Sequence, residues 1–224
     1  MLFAPRTPYP RIIMLILPTT YFGPISWYRQ LNAADTCYID ATEPFHKRTT
    51  RNRCTIATPN GPQTLTVPVE HRLTPSPHAV PYTDTVHQPI PITSLRISEH
   101  NKWRHVHWQA LETAYGNSPF FDYYADDIRP FFEPHWEYLF DLNLAIIQKM
   151  CELLQVETSV SRSEERRAGS EICFCANTIL TPHSSLLAPR KEYYQVHAHR
   201  TGFLPNLSIL DLLFNMGNES ILYL

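Results

Sequence analysis

Ile12-Ile13-Met14-Leu15-Ile16-Leu17 runs straight into Pro18-Thr19-Thr20-Tyr21-Phe22-Gly23-Pro24. A short apolar run bounded by Pro10 and Pro18 reads as a strand buried on both faces. The turn after it carries Gly-Pro, and Ile25 to Ala33 has the spacing of a short helix with Ile25, Trp27, Tyr28 and Leu31 inward. Thr36 to Asp40 is the next short strand. Strand, helix and strand at this length predict a parallel, right-handed crossover. In such folds ligands sit at the carboxyl ends of the strands. That places the Tyr21 to Pro24 turn, and the segment leaving Asp40, at a candidate site.

The segment leaving Asp40 holds a basic stretch, Glu43-Pro44-Phe45-His46-Lys47-Arg48-Thr49-Thr50-Arg51-Asn52-Arg53. Lys47, Arg48, Arg51 and Arg53 fall close together in a chain whose net charge is only -2. Guanidinium bonds phosphate or carboxylate oxygens bidentately and ammonium adds a point charge, so the run suits an anion. The structural alternative is a solvated loop or an exposed strand face.

Downstream, Arg53 to Ala57 and Gln63 to Val69 alternate around Pro59-Asn60-Gly61-Pro62, which predicts a β-hairpin. Residues 70–95 form a proline-rich loop, and Ile92 to Ile97 reads as a returning strand. A helix is expected from Lys102 to Tyr115, with Trp103, Val106, His107, Ala110, Leu111 and Ala114 on its inner face. An aromatic helix comes next, from Phe120 to Arg129. The longest helix spans Glu137 to Leu154, with Leu139, Leu142, Ile146, Met150 and Leu153 inward. Residues 157–190 are poorly patterned, and no site residue is placed there. Arg162-Ser163-Glu164-Glu165-Arg166-Arg167 reads either as a charged loop or as the in-frame translation of a sequencing adapter. Tyr193 to Val196 is expected as a strand, Gly202 to Pro205 as a turn, Asn206 as the N-cap of a helix from Leu207 to Phe214, and Ser220 to Leu224 as an edge strand. The whole chain, 1–224, therefore reads as a single α/β domain: a mixed, largely parallel sheet flanked by helices, with a β-hairpin insertion.

Composition removes several function classes. A pI of about 6.6 gives no basic face for nucleic acid. No apolar run is long enough to span a membrane, and the five scattered cysteines read as reduced thiols, so a soluble cytoplasmic protein is expected. The isolated glycines exclude a glycine-rich phosphate cradle, and no cofactor motif occurs. His105-x-His107 diverges on a helix, and His197-x-His199 lacks a third ligand at a diagnostic spacing, so no metal is expected.

Five pieces of the chain together resemble the WbqC-like protein family of bacteria, in the branch found in Bacteroidetes. They are Leu17 to Pro24, Glu43 to Arg53, Leu65-Thr66-Val67-Pro68-Val69, Trp103-Arg104-His105-Val106-His107-Trp108, and Tyr194 with Pro205 to Asn215. Where the more familiar branch has a His-Gln-Pro-type opening after its first strand, this chain has Leu17-Pro18-Thr19, so no role of that histidine carries over. The resemblance implies an association with polysaccharide or O-antigen biosynthesis, by analogy and not by mechanism. It keeps Glu43, Lys47, Asn52, Arg53, Trp103 and His107 in their expected places. The enzyme reading is a transferase acting on an activated sugar or acyl donor. Its anionic substrate would be held by Lys47, Arg51, Asn52 and Arg53, and its proton moved by His107 or Glu43. Tyr21, Trp103 and Asn206 would line the pocket. Against this stands the plainer reading of His107 as a hydrogen-bonded histidine at a core edge. The alternative function is a non-catalytic binding or assembly protein presenting Tyr21, Trp27, Phe120, Phe121, Tyr123 and Tyr124 to a partner.

Overall fold

The computed structural model describes residues 12–70, 90–163, 174–175 and 191–224. The first strand, β1 (Ile12–Leu17), leads into α1 (Ile25–Asn32) and then β2 (Ala34–Asp40). β1 and β2 pair in parallel, Ile12 opposite Ala34 through Leu17 opposite Ile39. α1 buries Ile25, Trp27, Tyr28 and Leu31, the face its spacing requires. Two further parallel strands, β5 (Ser159–Ser163) and β6 (Phe174–Cys175), complete a sheet of order β5-β2-β1-β6.

The antiparallel hairpin of β3 (Arg53–Thr58) and β4 (Gly61–Thr66) is separate from that sheet. Its turn is Pro59-Asn60, and Gly61 beyond it has φ 109°, which a side chain would resist. Helices α2 (Trp103–Tyr115), α3 (Phe121–Ile128), α4 (Leu139–Leu153), α5 (Ala198–Thr201) and α6 (Ile209–Met216) supply the remaining layers. Leu15, Tyr28, Ile39, Ile56, Leu111, Ile146 and Leu212, from both β-units and from helices on both sides of them in sequence, share one buried core.

Several expectations fail for physical reasons. Ile92–Ser94 is a 3-10 turn after Pro91, not the start of a strand; Arg96 and Ile97 make only isolated bridges, to Tyr138 and Val69. On α2 the buried arc is Trp103, Arg104, His107, Leu111, Ala114 and Tyr115, which turns Val106 outward to 51% exposure. Tyr193 to Val196 is not a strand, because side chains take over the backbone's partners. Gln195 holds both the N–H and the C=O of Leu204, at 2.9 and 2.8 Å, and Asn215 Oδ1 accepts from Val196 N at 3.1 Å. Gly217–Tyr223 is a 3-10 helix and not an edge strand. Within the unpatterned region, Ser159–Ser163 is a true strand, so Arg162 and Ser163 pair with Ile39 and Asp40. The rest of the charged patch, 164–167, lies outside the described residues, as do most of the proline-rich loop and the cysteine at position 173.

Asn206 corrects the expectation for α6. That helix is capped by Ser208, whose Oγ accepts from Leu210 N at 3.3 Å. Asn206 Oδ1 instead accepts from Ser26 N at 2.9 Å, in the first turn of α1, whose own N-cap Pro24 has no side-chain acceptor. The neighbouring Ile25 N donates to Leu207 O at 3.0 Å. A segment far along the chain thus satisfies the open amides of the first helix.

Candidate functional site

The turn after β1 is fastened to the basic stretch. Tyr21 N donates to Thr50 O at 2.9 Å, and Thr20 Oγ1 donates to the same carbonyl at 3.1 Å. Gly23 packs so closely on Thr20 that a Cβ would lie 2.5 Å from its Oγ1, so glycine is required there. Thr19 N donates to Glu43 Oε1 at 2.9 Å, and the Arg51 guanidinium grips Glu43 Oε2 through Nε at 3.0 Å and through Nη2. Asn143 of α4 closes this assembly by donating to Arg51 O at 2.7 Å. Glu43 is 4% exposed. Burial pushes its carboxyl up, and Arg51 and the Thr19 amide pull it back. Both its oxygens are occupied within the protein.

His107 lies among Tyr21, Trp103 and Phe132 and is 3% exposed. Its Nδ1 shares a hydrogen bond with the Tyr21 hydroxyl at 2.9 Å. Burial lowers its pKa to about 4, which leaves the ring neutral near pH 7. No hydrogen bond joins His107 to Glu43. Tyr21 and Trp103, at 1% and 3% exposure, belong to this sealed cluster and do not face solvent. Asn206 sits apart at α1.

The rest of the basic stretch behaves differently. Lys47, Arg48, Asn52 and Arg53 line an open cleft of about 310 Å³ together with Phe45, Val67 and Val69. Lys47, Arg48 and Arg53 are in no ion pair with a described residue. No carboxylate lines the cleft among the described residues. Arg48 holds φ 61°, a left-handed conformation at the tip of the turn that carries the cations. Asn52 grips Val67 twice: Val67 N donates to its O at 2.9 Å and its Nδ2 donates to Val67 O at 3.0 Å. Because Val67 O can only accept, the amide orientation is fixed and Oδ1 points elsewhere. Asn52 Oδ1 and Arg53 Nε are both out of water's reach and without a partner.

The expected site residues therefore separate. Lys47, Asn52 and Arg53 come together on the cleft. Arg48 joins them, a member of the charge run but not of the expected site. Glu43 and Arg51 form a buried pair that does not line the cleft. Of the six aromatics expected as a surface, Tyr21, Trp27, Phe121 and Tyr124 are buried and only Phe120 and Tyr123 are exposed, at 37% and 73%. His197 Nε2 donates to Ala114 O at 2.7 Å, and no metal-binding group of three acids, histidines or cysteines exists among the described residues. Burial raises the Cys54 and Cys151 thiols to about 12, so neither is a ready nucleophile.

A polar centre that sequence reasoning missed lies on α6. Asp211 is fully buried and accepts from Tyr115 OH at 2.8 Å, from Tyr193 OH, and from Gln195 Nε2 at 3.1 Å. Tyr115 OH in turn accepts from Ala57 N of β3 at 3.1 Å. Its one sequence signal is an acid set within the apolar run Leu207 to Phe214.

The family model for the "WbqC-like protein family" matches residues 19–181. The chain belongs to the WbqC-like family. That span contains the turn after β1, the basic stretch, the hairpin and α2. A relative in Mycobacterium tuberculosis (strain ATCC 25618 / H37Rv), "Uncharacterized protein Rv1507c", is 29% identical over 210 residues, covering 80% of this chain and 83% of the relative. No solved structure matches the chain. No helix among the described residues is long and apolar enough to cross a membrane.

Proposed function

We propose that this WbqC-like protein binds an anionic small molecule in the Lys47–Arg53 cleft and acts as a transferase of bacterial surface-polysaccharide (O-antigen-like) biosynthesis, holding the phosphate of an activated sugar or acyl donor. The observation that carries the reading is a cleft bearing Lys47, Arg48 and Arg53 with no carboxylate among its described lining residues to neutralise them. Cations gathered on a concave surface raise the local concentration of an anion and stabilise charge on its oxygens. Arg51 is not one of the holders in this reading, because Glu43 already occupies it. Instead, the Glu43–Arg51 pair and His107 are positioning groups: the pair fastens the basic stretch to the end of β1, and neutral His107 props Tyr21 against β4.

A thermal-shift screen of the full chain against nucleotide sugars, nucleotides, acyl-CoAs and simple phosphorylated metabolites tests the proposal. A ligand that binds only the native state raises apparent stability by mass action. The expected result is a phosphate-bearing hit that disappears in Arg53→Ala. A panel-wide absence of shifts, or a hit unaffected by Arg53→Ala, overturns it. For the positioning role, His107→Gln should support glycan complementation at near wild-type level, whereas a proton-transfer role predicts its loss.

A further inference from the structure

The cleft is polar in one way only. Lys47, Arg48 and Arg53 donate hydrogen bonds and accept none. No carboxylate lines it among the described residues. Asn52 does not stand in for one: its Nδ2 is bonded to Val67 O at 3.0 Å, and its Oδ1 lies out of water's reach. The backbone of the 67–68 wall is engaged as well. Val67 N donates to Asn52 O, Pro68 has no N–H, and Pro68 O accepts from Ser98 N at 2.9 Å. Thr66 is the one remaining neutral polar side chain among the described lining residues. Phe45, Pro68 and Val69 line the same cleft half-buried, which leaves it apolar surface. A sugar presents several hydroxyls, and each needs an acceptor when it leaves water. An apolar chain needs none.

We infer that the ligand of this cleft carries an apolar chain next to its phosphate, as an acyl phosphate does, and not a sugar. The phosphate oxygens meet the three cations, and the chain lies on Phe45, Pro68 and Val69. A volume of about 310 Å³ is at the low end for small-molecule sites, which run to roughly 1,000 Å³, and suits a phosphate with a short chain. Val69 becomes a specificity residue, favouring a chain of methylenes over one bearing hydroxyls. This rests on the anion-binding reading above and narrows its two donor classes to the acyl one.

A matched pair of probes tests the inference on the unmodified full chain. Propyl phosphate and glycerol 3-phosphate share a charge and a carbon frame and differ only in hydroxyls, and calorimetric titration compares their affinities. The expected result is about fivefold tighter binding of propyl phosphate, the size of roughly one buried methylene. Val69→Thr exchanges a methyl for a hydroxyl at nearly constant size. It should cut the preference to about twofold or less while inorganic phosphate binding stays within about twofold. A preference that Val69→Thr leaves intact overturns the placement of the chain. Equal binding of the two probes to the wild-type chain, or tighter binding of glycerol 3-phosphate, with both lost in Arg53→Ala, overturns the acyl inference and leaves the anion site standing. Failure of both probes, and of inorganic phosphate, to bind overturns the anion site and the inference with it. Because the wild-type comparison needs no variant, misfolding of Val69→Thr does not rescue the inference.

Discussion

Asp211 and the cation cleft keep polar groups out of water in opposite ways. Around Asp211 every bond is returned: two tyrosine hydroxyls and Gln195 reach the carboxylate, and Tyr115 OH also takes the amide of Ala57. On the cleft, Asn52 Oδ1 and Arg53 Nε remain open, and three cations have no acid beside them among the described lining residues. A closed polar network fixes one arrangement of the chain, whereas exposed cations with no acid beside them leave a local positive potential. Both touch β3, at Ala57 and at Arg53, so one strand joins the closed polar centre to the cation-lined cleft.

The comparison breaks most directly at Asp211. Asp211→Ala strands two buried hydroxyl donors and takes one acceptor from the Gln195 amide, and should destabilise the protein by about 3–5 kcal/mol in urea unfolding, or abolish folding. A loss under about 1 kcal/mol would mean the network is not a closed structural unit. Next in size is His107. Its pKa falls from 6.5 to about 4 in the folded protein. Its neutral form therefore contributes stability that is complete above pH 6.5 and lost as pH falls to about 4, on the order of 3 kcal/mol at about 1.4 kcal/mol per pH unit. Glu43 and Asp211 act the other way: burial raises both, so their share is present at low pH and declines as pH rises through their folded values. The histidine's share is the difference between wild type and His107→Gln across pH 4 to 7, with the wild type losing more on acidification.

Smaller effects sharpen the contrast. Asn206 makes a satisfied bond, but in water. Asn206→Gly, which suits its φ of 56°, should cost only about 0.5 kcal/mol in chemical unfolding. Smallest of all is Arg53→Ala, which removes a charge with no ion-pair partner among the described residues and should shift stability by no more than about 0.5 kcal/mol while removing anion binding. A large stability loss there would place Arg53 with the structural groups.

The sequence carried the β1-α1-β2 crossover because the apolar run from Ile12 to Leu17 and the helical spacing along α1 are visible in residue type alone. The hairpin was equally legible from Pro59-Asn60-Gly61-Pro62. β5 was not: Ser159-Val160-Ser161-Arg162-Ser163 has almost no apolar pattern, and its pairing with β2 decides it, a contact that local residue types do not encode. Nor could Gln195 be read as a replacement for strand pairing, since its partner Leu204 is specified only by tertiary packing. At the site the charge run was visible, but which cations were already neutralised was not. Arg51 and Arg53 look alike in the sequence, and only the burial of Glu43 separates them.

Helix α1 depends on residues that come much later. Ser26 is bonded by Asn206, Ile25 by Leu207 O, and Gly23 O by Ile209 N, while Ser208 Oγ reaches Phe22 O at 2.7 Å. The bond from Ser26 to Asn206 spans 180 positions. During synthesis, therefore, the first crossover can be made but not sealed, and it must wait with an uncapped helix end until residues 206–209 have left the ribosome. Such long-range closure slows folding and lengthens exposure of the apolar β1 run. A cell that makes this protein needs that waiting period to be short, or chaperoned.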